Sequence, residues 1–276
     1  MRSIDDVRKK MLEFDKGAVI REIVSFLRNF AESSGLDRFI VGLSGGVDSS
    51  TTLGLLVRAF GKNNVLALIM PHLGITLKRD LEDAYKVAES FGVEYATLEL
   101  ADICSLIKQR LSPFIELDKK AYGNIIARMR MIMLYAYANS IGGVVVGTSD
   151  KSERLIGYFT KWGDAAADIF PIADLYKTQV RAIAKHLGVP EDIVHKPSSP
   201  GLWRGHLAEE ELGLTYEEID PILFATQELG IPPVELSNIE GFDPKSIDAV
   251  VKMIRSTEHK RTIYYPKVQA LILGKA

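Results

Sequence analysis

Short runs of apolar and β-branched residues recur along the first half of the chain, each bounded by turn formers: Phe39–Leu43 (FIVGL), Val65–Met70 (VLALIM), Val93–Leu98 (VEYATL) and Val144–Val146. Their length and make-up predict strands. Between them lie stretches with helical period, Leu81–Phe91 and the long Tyr122–Asn139, in which Ile125, Ile126, Met129, Ile132, Met133, Ala136 and Tyr137 recur at three- and four-residue steps. Met129, Met131 and Met133 on that stretch are read as packing or subunit contact rather than as a cofactor box. Strands of this kind alternating with helices pair in parallel and are covered on both sides. The pattern predicts an α/β fold, a doubly wound parallel sheet with helices on both faces.

Beyond residue 148 the texture becomes more polar and glycine-containing. Amphipathic helices are predicted at Lys177–Leu187, closed by Gly188-Val189-Pro190, and at Tyr216–Leu229 and Pro244–Ser256, followed by a basic stretch at Glu258–Arg261. The segment Lys196–Gly213 (KPSSPGLWRGHLAEEELG) is rich in Pro, Gly and charge, which predicts an irregular lid or binding loop. No internal repeat or linker is visible.

Composition narrows the function classes. With 34 Lys plus Arg against 36 Asp plus Glu, the net charge of -2 gives no electrostatic footprint for nucleic acid or an acidic membrane. At 47% hydrophobic and 25% charged residues the chain is an ordinary folding sequence, and its length of 276 residues allows one large or two small domains. The single cysteine, Cys104, lies among Ile103, Leu106 and Ile107 and is expected to be a buried thiol. The N-terminal MRSIDDVRKKMLEF is charged and helix-like, without the apolar core of a signal peptide, and the cytoplasm is the expected compartment. Residues 131–149 form an uncharged run near membrane-span length, but Asn139, Ser140, Gly142 and Gly143 divide it into a helix end and a strand. No membrane partner is expected.

The chemistry is concentrated directly after the first strand, in Leu43-Ser44-Gly45-Gly46-Val47-Asp48-Ser49-Ser50. Two glycines turn the chain sharply, serines add hydroxyl donors, and a helix start offers free N–H groups, together a cradle for phosphate. A carboxylate belongs beside a polyphosphate when a divalent cation lies between them, so Asp48 predicts Mg²⁺. The alternative is a well-capped helix start with an acid in its first turn. Its place at the carboxyl end of a strand in a doubly wound sheet favours the ligand site. The Walker A pattern is absent.

The string SGGVDSS resembles the pyrophosphate loop of the ATP pyrophosphatases, which split ATP between the α and β phosphates. Over nearly the whole chain the remaining blocks are similar to those of NAD synthetase. They include Asn124–Arg130 (NIIARMR), Val146-Gly147-Thr148 with Ser152-Glu153, Gly157–Asp164 (GYFTKWGD), Asp168-Ile169 and Lys177–Arg181 (KTQVR). They continue with Lys196-Pro197-Ser198, Gly201-Leu202-Trp203, Glu211-Leu212-Gly213 and His259-Lys260-Arg261. The resemblance implies the adenine-nucleotide alpha-hydrolase-like fold, with residues 1–276 as a single synthetase domain lacking a glutaminase domain. It implies adenylation of the nicotinate carboxylate of deamido-NAD by ATP, then displacement of AMP by ammonia, in a homodimer.

Carried over position by position, the resemblance assigns the ATP phosphates to Gly42, Leu43, Ser44, Gly45, Gly46, Val47, Asp48 and Ser49, with Thr148, Lys177 and Ser198 as further ATP contacts. It assigns Mg²⁺ to Asp48 and Glu153, and deamido-NAD to Arg128, Lys161, Asp168, His259 and Lys260. Asp164 is the candidate for taking a proton from ammonium. Trp162 and Trp203 are candidates for stacking on a ring or for packing under a loop. Two departures from the family pattern are Ala165-Ala166, where two glycines are usual, and the loop Gly205–Glu209 (GHLAE). The competing readings are another ATP pyrophosphatase with a different acceptor and a nucleotide-binding module without turnover.

Overall fold

The computed structural model describes residues 2–266. Two helices, α1 (Ile4–Leu12) and α2 (Lys16–Ser34), precede β1 (Phe39–Gly42), and then helices and strands alternate. They are α3 (Val47–Phe60), β2 (Val65–Ile69), α4 (Lys78–Phe91), β3 (Glu94–Thr97), α5 (Ala101–Leu111), α6 (Lys119–Ile141), β4 (Val144–Val146) and α7 (Lys151–Ile156). The remainder is helical: α8 (Lys177–Leu187), α9 (Glu191–Val194), α10 (Ala208–Leu212), α11 (Tyr216–Gln227), α12 (Pro233–Leu236), α13 (Pro244–Ser256) and α14 (Glu258–Arg261).

Among the described residues the strands form one parallel sheet of order β3-β2-β1-β4, with Phe39 opposite Val65 and Val144, and Leu66 opposite Glu94. Alternation along β1 sends Phe39 and Val41 to one face and Ile40 to the other. The first face packs with Val24 and Leu27 of α2, Leu53 and Leu56 of α3, Val87 of α4 and Val180 and Ile183 of α8. The second packs with Leu100, Cys104, Ile126 and Met129 under α5 and α6. Cys104 is buried, as its apolar setting predicts, and burial pushes its thiol up.

A third core, built by α1, α11, α12 and α13, contains Val7, Met11, Ile219, Leu223, Leu236 and Val250 and reaches the sheet layers through Ile156 and Tyr176. The chain runs from β1 outward to β2 and β3 and then crosses back to the far side of β1 for β4. The crevice between the carboxyl ends of β1 and β4 is therefore the switch point, where ligands of such sheets bind. The predicted bounds of β4, α8 and α13 coincide with the observed ones. Within the stretch expected to be irregular, Ala208–Leu212 forms a short helix closed by Gly213 in the left-handed region. Among the described residues no helix is long and apolar enough to cross a membrane.

Candidate active site

The turn leaving β1 has Gly45 at φ 74°, and a Cβ there would run into the backbone oxygen of Asp80 and lie 2.8 Å from the nitrogen of Ala84. Only glycine fits a turn this close to α4. The loop is held by its own hydroxyls: Ser44 N–H donates to Ser49 Oγ (3.2 Å), Ser49 Oγ to Gly46 O (3.2 Å) and Ser50 Oγ to Gly46 O (2.7 Å). The helix α3 begins at Gly46 without a side-chain cap, so N–H groups of its first turn remain available to an anion.

Asp48 projects from that first turn and meets Lys177, the first residue of α8, with Nζ 2.7 Å from Oδ2. The same ammonium lies 2.8 Å from Glu153 Oε1 and 2.9 Å from Asp150 Oδ2, the last a charge contact rather than an aligned hydrogen bond. Lys177 and Asp150 are fully buried, while Asp48 and Glu153 each keep 20% of the side chain exposed. Burial opposes the charge of Lys177, yet Asp150, Asp48 and Glu153 outweigh it and hold its pKa well above the lysine value. Burial likewise pushes Glu153 well above the carboxylate range and Asp150 up to about 6, with neighbouring carboxylates adding to both. These are the marks of an anionic cluster short of positive charge.

Among the described residues no three His, Cys, Asp or Glu side chains form a ready metal cage. The Lys177 ammonium stands between the carboxylates instead. Because its surface is entirely covered, a phosphate oxygen reaching Lys177 must displace one of its three partners.

A lysine from the next loop closes the other flank. Lys196 Nζ lies 2.6 Å from both Asp80 Oδ1 and Asp83 Oδ2 and donates to Gly45 O at 3.4 Å, which fixes the 196–207 segment beside the phosphate loop. Two residues on, Ser198 Oγ is buried without a partner. Farther along, His206 stacks on Trp203 at 3.4 Å and pairs with Glu211 Oε2 at 2.9 Å and Tyr158 Oη at 3.2 Å. Burial lowers the His206 pKa and favours the neutral ring. The unusual GHLAE loop is thus packed against the helix end at Tyr158, and Trp203 is half-buried against His206.

The stretch Thr160–Asp164 forms a turn after α7. Trp162 is the only non-glycine residue among those described with φ in the left-handed region, 62°, and its ring is 54% exposed. Such strain is held by its surroundings and marks a constrained site. Thr160 N–H donates to Asp164 Oδ1 at 2.9 Å. Desolvation by the surrounding protein raises the Asp164 pKa, against the Thr160 N–H and the Lys260 and Arg130 charges. Ala165 and Ala166 avoid the left-handed region, and Ala166 N–H closes the turn onto Gly163 O at 3.0 Å. The backbone therefore accommodates both alanines without a left-handed residue at either position.

Four of the five residues expected for the acceptor gather. Arg128 donates to Lys161 O (3.1 Å), Lys161 Nζ to His259 O (2.7 Å), and Lys260 Nζ to Gly157 O and Phe159 O (2.8 Å each). The fifth, Asp168, is engaged elsewhere, accepting from Val145 N–H at 2.8 Å and Tyr135 Oη at 3.0 Å. Thr148 sits half-buried beyond the end of β4.

A family model described as NAD synthase matches residues 19–264. The chain belongs to this family. It is 48% identical over 256 residues to the NH3-dependent NAD+ synthetase of Hyperthermus butylicus, covering 92% of this chain and 91% of that one. Its fold matches the NMN synthetase of Francisella tularensis (TM-score 0.80, 30% identity, 93% of this chain and all of that one). It also matches the NH3-dependent NAD synthetase of Campylobacter jejuni (TM-score 0.76, 29% identity, 92% of this chain and all of that one). The chain is accordingly an NAD synthetase, a ligase that forms a C–N bond.

Several residues of the synthetase site escaped the sequence. Asp150 does two jobs, capping α7 through Glu153 N–H (2.8 Å) and facing Lys177. Its signal is the Asp-x-x-Glu spacing of a capping box at 150–153. Lys196 stood in a recognised block without a role. Asp220 carried a signal too, an acid on the buried stripe of Tyr216, Ile219 and Leu223.

Proposed function

We propose that the synthetase makes NAD from deamido-NAD, ATP and ammonia in two steps at the β1–β4 crevice, with Mg²⁺ bound by Asp48 and Glu153. The observation that carries this reading is the meeting of Asp48, on the uncapped helix start, with Glu153 around Lys177. The residues suit the metal. Their donors are hard carboxylate oxygens, Asp48 Oδ1 is buried without a partner, and three carboxylates face one ammonium. Mg²⁺ takes one or two carboxylates together with substrate phosphates, which needs no preformed cage. Bound there, it supplies positive charge between the polyphosphate and the carboxylates.

In the first step a nicotinate carboxylate oxygen attacks the α-phosphorus, and the bond from that phosphorus to the bridging oxygen breaks to release pyrophosphate. The residues Gly42–Ser49 cradle the phosphates with N–H groups and hydroxyls, and Thr148 and Ser198 add hydroxyls. Lys177 holds the carboxylates in place and gives the site its fixed positive charge. In the second step ammonia attacks the acyl carbon, the C–O bond to AMP breaks, and Asp164 takes the proton from the new nitrogen. Its raised pKa makes it a stronger base than an ordinary carboxylate.

Arg128, Lys161, His259 and Lys260 bind deamido-NAD from the adjoining wall, and Asp168 acts from the edge of β4. A second copy of the chain packs on α6, where Ile132 is 47% exposed.

The test is incubation with ATP, Mg²⁺, deamido-NAD and ammonium, following NAD, AMP and pyrophosphate. Equal yields of the three are expected, with no product when glutamine replaces ammonium. Faster amidation of nicotinate mononucleotide, the outcome suggested by the NMN synthetase likeness, would replace the dinucleotide as acceptor.

A further inference from the structure

We propose that Asp220 is a positioning residue that fixes Lys177 and Glu153 for the adenylation step. This rests on the two-step reading above. Asp220 lies on α11, in the helical layer, and is fully buried. Its Oδ1 accepts the Ser152 hydroxyl at 2.6 Å, and Ser152 Oγ in turn accepts Lys177 N–H at 2.9 Å. Its Oδ2 accepts both the N–H and the hydroxyl of Thr178, each at 2.8 Å.

The first two N–H groups of α8 are therefore satisfied through one carboxylate, which ties the start of α8 to the start of α7. Those two starts carry Lys177 and Glu153. None of the four hydrogen bonds goes to the phosphate loop, so Asp220 acts through its neighbours rather than on a ligand. One turn earlier on α11, the buried Tyr216 ring lies 5.1 Å from the Lys177 ammonium and bounds it on another side. A rotation or slide of α11 would carry Ser152 and Thr178 with it and shift the ammonium among carboxylates that it now holds at 2.7, 2.8 and 2.9 Å.

A buried carboxylate could serve stability alone, and the two roles separate experimentally. Asp220→Asn keeps the shape and the acceptor toward Thr178 but reverses the hydrogen-bond polarity at Ser152. With deamido-NAD present and ammonium withheld, ATP–pyrophosphate exchange reports adenylation. Asp220→Asn should retain a cooperative melt, lower the exchange rate about 10–100-fold, the usual cost of losing a supporting partner, and leave KM for deamido-NAD unchanged. In a Glu153→Gln background the same substitution should add little. If Asp220→Asn does not fold, Thr178→Val, which keeps the N–H bond, should show a smaller loss at the same step. A folded Asp220→Asn with wild-type exchange, or effects that multiply in the Glu153→Gln background, would overturn the role. An absence of exchange in the wild type would overturn the two-step reading and this role with it.

Discussion

Lys177 and Asp48, 129 positions apart in the chain, meet at 2.7 Å where two helices begin. One end of the contact is sealed and the other lies on the first turn of α3, so the pair joins the buried interior to the proposed ATP site. Removing the carboxylate leaves Lys177 with Asp150 and Glu153, and the ammonium remains paired. Asp48→Ala should therefore fold with a melting temperature close to wild type while turnover drops by about 100-fold or more. Near-normal NAD formation would remove Asp48 from the proposed metal site.

The phosphate loop makes a backbone demand. Gly45→Ala places a methyl group against Asp80 and forces an L-residue to φ 74°. It should cost about 1–2 kcal/mol from the left-handed conformation alone and raise KM for ATP more than KM for deamido-NAD. Urea denaturation and initial rates at varied ATP check this.

Lys161 reaches the carbonyl of His259 and makes no hydrogen bond to the loop after β1. Lys161→Ala should raise KM for deamido-NAD with little change in KM for ATP. An equal rise in both constants would argue against the division of the site.

The exposed Ile132 on α6 tests the assembly. If the proposed α6 contact forms, Ile132→Glu should shift the sedimentation coefficient from that of a dimer to that of a monomer, because it would bury a charge without a partner in that contact. A wild-type protein that already sediments as a monomer would dispose of the α6 interface.

Asp220 also sets a pH dependence. Burial raises its pKa from 3.8 to about 7, against its hydrogen bonds to Ser152 and Thr178, so the folded chain binds its proton more tightly than the unfolded one. The stabilisation from that proton is fully present below pH 3.8 and is lost as pH rises through about 7. Asp220→Asn should flatten the stability profile across this window and gain on wild type between pH 5 and pH 8, by on the order of a few kcal/mol. Parallel unfolding curves at the two pH values would contradict it.

The fold was legible wherever one segment carried its own boundaries. Asp243 and Pro244 mark the start of α13, Gly188 ends α8, and the Val144–Val146 triplet can only be a buried strand. The turn after β1 was legible for the same reason, since SGGVDSS contains its glycine turn, its hydroxyls and its helix start. Asp220 showed only as an acid on an apolar stripe, and its partner Ser152 lies 68 positions away, so nothing local announces the pair. Lys177 was recognised through its block, but its burial among three acids is a product of packing between the sheet layers and the helical layer. Ser198 and Lys196 show the intermediate case, in which the block was visible and the division of labour within it was not.

Asp150 leads to a statement about sequence space. Its Oδ1 caps α7 at Glu153 N–H while Oδ2 faces Lys177, so one position answers two requirements together. Serine or asparagine could cap but brings no charge; glutamate brings the charge on an arm too long to cap. Among the twenty amino acids only aspartate meets both, and a saturation library at this codon selected for NAD formation should return a single letter.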